Sequence, residues 1–387
     1  MENFYVDLHM HIGRNKYNKP VKITASKNFT LTNLLKEASD RKGMDMVGVI
    51  DCHAPAVLSE LEEHIEKGTA IPLEKGGIRF RNTTLILGSE IEIYDSNCQG
   101  PIHVLSYFES LESMKKFSQW LRDRVTNIEL STQRFYGSAH DLQDKVKELN
   151  GLFIPAHIFT PFKSLYGKGV KSTLTEILLP DLIDAVELGL SSDTVMADQI
   201  GELHSYTFVT NSDAHSASKI AREYQTIAMK EANFLELKLA LHEKDGRGIR
   251  TNYGMNPKLG KYHTTVCEKC LHPITELPCT QCGSMRMVKG VKQRIEELRT
   301  SDQTIRKRPP YVYQVPLDFV PGIGPKTLDK LLNTFGTEMS IIHQATEEDL
   351  KRVVDIKITD NILALRNGNL AIQQGGGGKY GKVIKNG

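Results

Sequence analysis

Over the first 250 residues, short apolar runs alternate with amphipathic helical patterns. FYVDLHMH, MVGVIDCHA, TLILGSEIEIY, IHVLSYF, GLFIPAHIF, AVELG and TFVTNSDAH read as strands. LTNLLKEASDRKG, SMKKFSQWLRDRV and HDLQDKVKELNG read as the helices between them. Repeated strand–helix alternation predicts an α/β fold with a mostly parallel sheet or barrel. The pattern breaks at residues 251–288, a short cysteine-rich stretch with little helical periodicity. KGVKQRIEELR (289–299) predicts one helix, and residues 300–312, with Pro309 and Pro310, predict an extended linker. Helical patterns return from Leu317, interrupted at Pro-Gly-Ile-Gly-Pro, and Gly375 to Gly378 form a run expected to be flexible. The chain thus divides into residues 1–250, 251–312 and 313–387.

Charge changes this picture. Across 387 residues the formal net charge is only +2, which by itself argues against a nucleic-acid binder. Residues 251–387, however, carry 20 basic and 13 acidic side chains, net +7, leaving the front part at net −5. An acidic front fused to a basic back suggests that the back binds a polyanion while the front does something else. Hydrophobic residues at 40% suffice for a sizeable core. No run of eighteen apolar residues occurs, and the N-terminus lacks a basic stretch leading into an apolar one. The expectation is a cytoplasmic protein without a membrane span.

The polar residues at the strand ends carry the chemistry. Asp7, His9 and His11 alternate onto one face of the first strand. His53 follows VGVID, Glu90 follows TLILGS with Glu92 two residues on, His103 opens the next run, and His157 closes LFIPA. Asp213 and His215 follow TFVTNS. In parallel α/β folds such ends converge on one cleft. Six histidines and two carboxylates together are more than core packing explains, because each buried imidazole needs a partner. Nitrogen and oxygen donors suit zinc, manganese or iron, and eight donors suggest two or three ions. His64, His140, His204, His242, His272 and His343 lack strand-end placement and read as ordinary.

The order HxH, Asp-x-His, Glu, His, His and a final Asp-x-His resembles the PHP (polymerase and histidinol phosphatase) family. The resemblance implies a distorted seven-stranded β/α barrel whose metal cluster hydrolyses phosphoesters. It implies His9, His11, His53, His103, His157, Asp213 and His215 as metal ligands and Glu90 as the bridge between ions. Glu90, Asp213 and His215 would then be the catalytic set, with Asp213 and His215 also offering a proton relay. Asp7 would orient a histidine, and Asp51 less so. Family members often place a further ligand shortly after the first motif; here that stretch is Gly13-Arg14-Asn15-Lys16, which puts a third ion in doubt.

Two further motifs bear on function. Cys267-x2-Cys270-x8-Cys279-x2-Cys282 predicts a tetrahedral four-thiolate zinc site with no open position, hence structural rather than catalytic. Arg286, Lys289, Lys292, Arg294, Arg299, Arg306, Lys307 and Arg308 follow it and read as contacts to a phosphate backbone. The segment FVPGIGPKTLDKLL, with its downstream helices over residues 317–358, resembles a helix-hairpin-helix motif. Gly322 and Gly324 would allow a tight turn, and Lys326 would add charge beside a DNA phosphate.

Taken together, the ligand series, four-cysteine module, hairpin and glycine-rich tail resemble the endonuclease Q family of DNA repair nucleases. That resemblance implies hydrolysis 5′ to uracil, hypoxanthine, xanthine or an abasic site by metal-activated water, leaving a 3′-hydroxyl and a 5′-phosphate. It implies zinc in the cysteine site and zinc, manganese or magnesium in the cleft. The implied partner is double-stranded DNA carrying such a lesion, with a replication sliding clamp as a further one. Arg79, Arg81, Arg134 and Lys163, in polar-aromatic loops of the front half, are candidate DNA contacts beside a flipped base. Two alternatives stay open: a PHP-type 3′–5′ exonuclease or other DNA phosphoesterase, and a DNA-binding protein without catalysis.

Overall fold

The structure, a computed structural model, describes residues 1–260, 262–300, 306–373 and 381–384. The glycine run Gly375–Gly378 lies outside the described residues. One sheet dominates. Strand Glu2–Met10 pairs in parallel with Met46–Val49, which pairs in parallel with Thr83–Ile93. Ile102–Phe108 then runs antiparallel to Thr83–Ile93, and Leu152–Pro155 antiparallel to Ile102–Phe108. On the other side, Tyr224–Met229 and Gly248–Gly254 add antiparallel strands, and Tyr311–Tyr313 pairs in parallel with Gly248–Gly254. The sheet is therefore mixed rather than mostly parallel. The connection from Ile93 to Ile102 is too short for a crossover helix, so those two strands must run antiparallel.

Ala185–Glu187 and Thr207–Val209 form a separate parallel pair. Backbone bonds tie it to the Leu152–Pro155 end of the sheet and back to the end of the first strand. Asp184 N donates to Phe153 O (3.0 Å) and Ile158 N to Glu187 O (2.9 Å), while Ala214 N donates to His9 O (3.1 Å) and His11 N to Ala214 O (2.9 Å). Val6, Leu8, Met46, Ile86, Leu105 and Ile154 are buried together in one core cluster. The helix patterns near residues 31, 113 and 140 appear as Leu31–Lys36 continuing into a wider turn at Glu37–Lys42, Leu111–Arg122 and Ala139–Glu148. Ser110 and Ser138 cap the last two, Ser138 in a reciprocal capping box with Asp141. Among the described residues no helix is long and apolar enough to cross a membrane.

The back half is fastened to the front. Strand Gly248–Gly254 spans residues 250 and 251, and the linker contributes Tyr311–Tyr313 to the same sheet. Arg308 pairs with buried Asp198 (2.9 Å) and lies 3.6 Å over the Phe208 ring. Lys42 and Glu338 form a buried ion pair (2.9 Å), and His343 stacks on Tyr5 and meets the Tyr224 hydroxyl at 2.7 Å. Beyond the linker, one turn at Leu317–Phe319 leads through the Pro-Gly-Ile-Gly turn into helix Pro325–Phe335, followed by Glu347–Val353 and Ile356–Arg366.

Candidate metal centre

The mixed topology brings the strand-end residues to one end of the sheet. His9 and His11 close their strand, and Glu90 lies towards the end of Thr83–Ile93. His103 opens a strand, but because that strand is antiparallel it sits opposite Glu92. His157 follows Leu152–Pro155, and Asp213 and His215 follow Thr207–Val209. His157 and Asp213 adopt left-handed backbone conformations (φ 32° and 48°), a strain that clusters at functional sites. Gly189 supports the first of these: a Cβ there would lie 2.7 Å from that of His157.

Three groups of donors result, each with its ligand atoms within 4.8 Å of one another: His9–His11–Glu90, His11–Asp213–His215 and Glu90–His103–His157. Glu90 joins the first and third. Its Oε1 lies 2.9 Å from His103 Nδ1, 3.5 Å from His157 Nε2 and 3.6 Å from His9 Nε2. Its Oε2 lies 3.4 Å from His11 Nε2. Asp213 Oδ1 reaches His215 Nε2 (3.1 Å), His9 Nε2 (3.5 Å) and His11 Nε2 (3.7 Å). The cleft over these residues encloses about 240 Å³ and is walled by Thr160, Phe162, Lys163 and Tyr262.

The electrostatics call for cations. Burial opposes ionisation of Glu90, but the His103 ring and the Lys22 ammonium hold its carboxyl well below the usual range. Asp213 is likewise held well below its usual value, against burial, by His9 and His215. Burial would lower the His9 pKa, yet Glu187 and Asp213 lift it to about 10. His9 Nε2 and both His103 ring nitrogens are buried without a well-aligned hydrogen bond. Buried donors left this way, beside ionised carboxylates, fit divalent ions.

Two sequence expectations change. His53 falls in none of the donor groups, because Ser89 Oγ (2.8 Å) and Leu130 O (3.3 Å) engage its two ring nitrogens. Asp7 orients no imidazole: its carboxylate accepts from the Ser212 and Ala221 amides (both 3.0 Å). Asp51 does that work for His11, at 3.2 Å from Nδ1, and Glu187 does it for His9, at 3.0 Å. Glu187 also accepts from Asn211 Nδ2 (2.8 Å) and the His157 amide (2.8 Å). Sequence reading passed over Glu187, although it ends the AVE strand and obeys the same strand-end rule. It also passed over Lys22 and Thr132, which contact Glu90 Oε2 at 3.0 and 2.5 Å from loops with no periodic signal.

The four cysteines come together as their spacing predicts. Cys267 Sγ lies 3.5 Å from Cys282 Sγ, and Cys270 Sγ 3.6 Å from Cys279 Sγ. A tetrahedral four-thiolate zinc site requires sulfur separations of about 3.8 Å, given zinc–sulfur bonds near 2.3 Å. The Cys270 backbone N–H, aimed at the sulfur, helps push the Cys267 thiol down to about 6. Of the basic residues that follow, Arg294 donates to the carbonyls of Tyr166, Val170 and Lys171, so it staples this module to the front half, as Arg308 does. Arg286 remains exposed.

The candidate DNA contacts are dispersed. Lys163 lies at the cleft, 2.8 Å from Glu92 Oε2. Arg134 packs over the Tyr94 and Tyr136 rings (4.9 and 5.7 Å). Arg79 and Arg81 lie beside Thr83–Leu85, the opposite end of that strand from Glu90, and Arg81 pairs with Asp40. Gly322 turns with φ 91°; nothing lies within 4 Å of where a Cβ on Gly324 would sit, and Lys326 is exposed.

No protein-family model matches the chain. Over 385 residues it is 54% identical to the uncharacterized protein YqxK of Bacillus subtilis (strain 168), covering 99% of this chain and all of that one. The crystal structure of the lesion-specific endonuclease PfuEndoQ from Pyrococcus furiosus superposes with a TM-score of 0.83 at 32% identity, over 99% of this chain and 95% of that one. Endonuclease Q bound to a 27-mer duplex substrate with an abasic lesion at its active site gives the same TM-score at 31% identity, over 99% and 96%. Identity at that level over 99% of the chain places it in the endonuclease Q family, as a metal-dependent nuclease.

Proposed function

We propose that the chain is a DNA repair endonuclease that hydrolyses the phosphodiester 5′ to a deaminated base (uracil, hypoxanthine or xanthine) or an abasic site. The products are a 3′-hydroxyl and a 5′-phosphate. The observation that carries this reading is the sharing of Glu90 between donor groups that also include His9, His11, His103 and His157. The related endonuclease Q bound to a lesion-containing duplex supports DNA as the substrate. The ring of strands that returns through Ala214 to His9 supports an irregular seven-stranded barrel as the scaffold.

His9, His11, Glu90, His103, His157, Asp213 and His215 would hold the ions, and a donor set rich in imidazole favours zinc or manganese over magnesium. Such ions supply an acidified water and neutralise phosphate charge. In the reaction, water oxygen forms the new bond to phosphorus. The P–O3′ bond breaks with its electron pair on O3′, which then takes up a proton. Solvent at the open cleft supplies that proton, because His215 Nε2, 3.1 Å from Asp213 Oδ1, is the nitrogen that would ligate, Nδ1 being engaged by Thr24 Oγ1. Phe162 and Tyr262 meet edge to face at 5.4 Å at the mouth, a surface suited to stacking an extruded base. The zinc module and the Gly322–Lys326 turn, read as a helix-hairpin-helix, would grip the flanking backbone, and four thiolates suit a reducing cytoplasm. No feature of the described residues supports a sliding-clamp partner.

The test is a labelled duplex with a single uracil or hypoxanthine. One cut on the 5′ side of the lesion is expected, whereas a ladder from the 3′ end would replace this reading with an exonuclease. Asp213→Asn, a side chain that tolerates the left-handed backbone there, should lose cleavage and keep duplex binding.

A further inference from the structure

Lys22 is a feature of the cleft that metal ligation does not explain. Its side chain is 14% exposed and lies among the donors. The ammonium stands 3.0 Å from Glu90 Oε2 and in contact with the Thr132 hydroxyl, which itself donates to the same carboxylate oxygen at 2.5 Å. Glu90 therefore presents two different sides. Oε1 faces His103, His157 and His9; Oε2 faces His11 and a fixed cation.

The donor arithmetic gives this cation a purpose. His11 Nδ1 is engaged by Asp51 and by Ser131 Oγ (3.1 Å), so only Nε2 is free to ligate. That nitrogen has one lone pair and serves one ion. The groups His9–His11–Glu90 and His11–Asp213–His215 both draw on it, so they cannot both be completed. A phosphodiester gains negative charge on its non-bridging oxygens as water adds, and a preplaced positive group there is worth more in a low-dielectric cleft than in water. An ammonium is a compact point charge with three donors, and two of those are accounted for by Glu90 and Thr132.

We propose that Lys22 is a catalytic residue: its ammonium, held by Glu90 and Thr132, directs its remaining N–H at a non-bridging oxygen of the scissile phosphate. It thereby supplies fixed positive charge that the ligand set leaves unprovided. This assignment rests on the cleft being the phosphodiester hydrolase centre proposed above. Lys22 makes and breaks no bond; it stabilises the charge that appears on phosphate oxygen while water adds and O3′ departs.

The experiment compares the full-length wild type with Lys22→Met and Lys22→Arg on a lesion duplex. Lys22→Met should lower kcat by about 10²–10³-fold, the usual effect of removing one preorganised donor. Lys22→Arg, which keeps the charge, should recover part of that loss. Metal bound per chain, counted by mass spectrometry, should be unchanged in both variants. A loss of metal would instead make Lys22 an organiser of the centre and overturn the assignment. A duplex whose scissile linkage is a neutral methylphosphonate provides the readout that a structural role would not move. On whichever of its two diastereomers puts the methyl in place of the oxygen that Lys22 would contact, wild type and Lys22→Met should cleave equally; a deficit of the same size on both diastereomers overturns the proposal. If wild type cuts no lesion duplex, the proposed function itself fails. If wild type cuts and Lys22→Met stays within about threefold, only the role of Lys22 fails.

Discussion

Glu187 is the residue whose removal tests most directly how the centre is held. Its carboxylate lies 3.0 and 3.1 Å from His9 Nδ1 and accepts from Asn211 Nδ2 and the His157 amide, both at 2.8 Å. It thus fixes one imidazole outright and the backbone of a second. Its charge is also the largest influence raising the His9 pKa. Glu187→Gln keeps the shape and an acceptor oxygen but removes the charge, so the fold should persist. Losing such a supporting carboxylate typically costs 10–100-fold in metal affinity. That corresponds to about 1.4–2.7 kcal/mol. Glu187→Ala would confuse the outcome, because the His157 amide and the Asn211 side chain would be left without acceptors at about 1–3 kcal/mol each. The assay is metal retained against graded chelator, paired with lesion cleavage as zinc or manganese is added back. The variant should need 10–100-fold more free metal and reach a plateau near wild type. An unchanged chelator midpoint would refute the orienting role. A lost plateau with full metal occupancy would place Glu187 in the chemistry itself.

Two other expectations follow from the same structure. Cys279→Ser should remove one zinc per chain, open residues 264–288 to limited proteolysis and weaken duplex binding, while the metal of the cleft stays bound; an undiminished zinc count would contradict the four-thiolate site. Glu223 is fully buried, and burial raises its carboxyl from the usual 4.5 to about 8. The unfolded chain therefore ionises this group above about pH 4.5, while the folded chain keeps it protonated until about pH 8. Stability from this group falls across that window, by at most about 1.4 kcal/mol per pH unit. Glu223→Gln should stabilise the protein at pH 8 and leave it unchanged at pH 4, as read by denaturant midpoints; equal effects at both values would show that the carboxyl is not protonated in the fold.

Much of the site was legible because strand-end residues obey a local rule. His9, His11, Glu90, His103, His157, Asp213 and His215 each sit beside an apolar run, and the structure gathers all seven into donor groups. The cysteine site was equally legible, since two knuckles of fixed spacing can wrap one ion with little help from the rest of the chain. His53 obeys the same rule and yet stands apart, because Ser89 and Leu130 claim its ring. Asp51, not Asp7, faces the ring of a donor-group histidine, since a register shift between Asp7 and Met10 separates the start of the motif from its end. The basic stretch after the cysteines read as one phosphate-binding face, but Arg294 and Arg308 turn inward to fasten the back half to the front.

Sequence alone thus determined which residue types lie at the ends of strands and which cysteines come together, because both depend on neighbours a few positions away. Only the tertiary structure decided that Glu187 supports His9 from 178 residues away and that Lys22 meets Glu90. Those contacts are set by strand direction and loop path. Neither leaves a periodic trace in the chain, because what places the partners is the closing of the sheet and not the spacing between them.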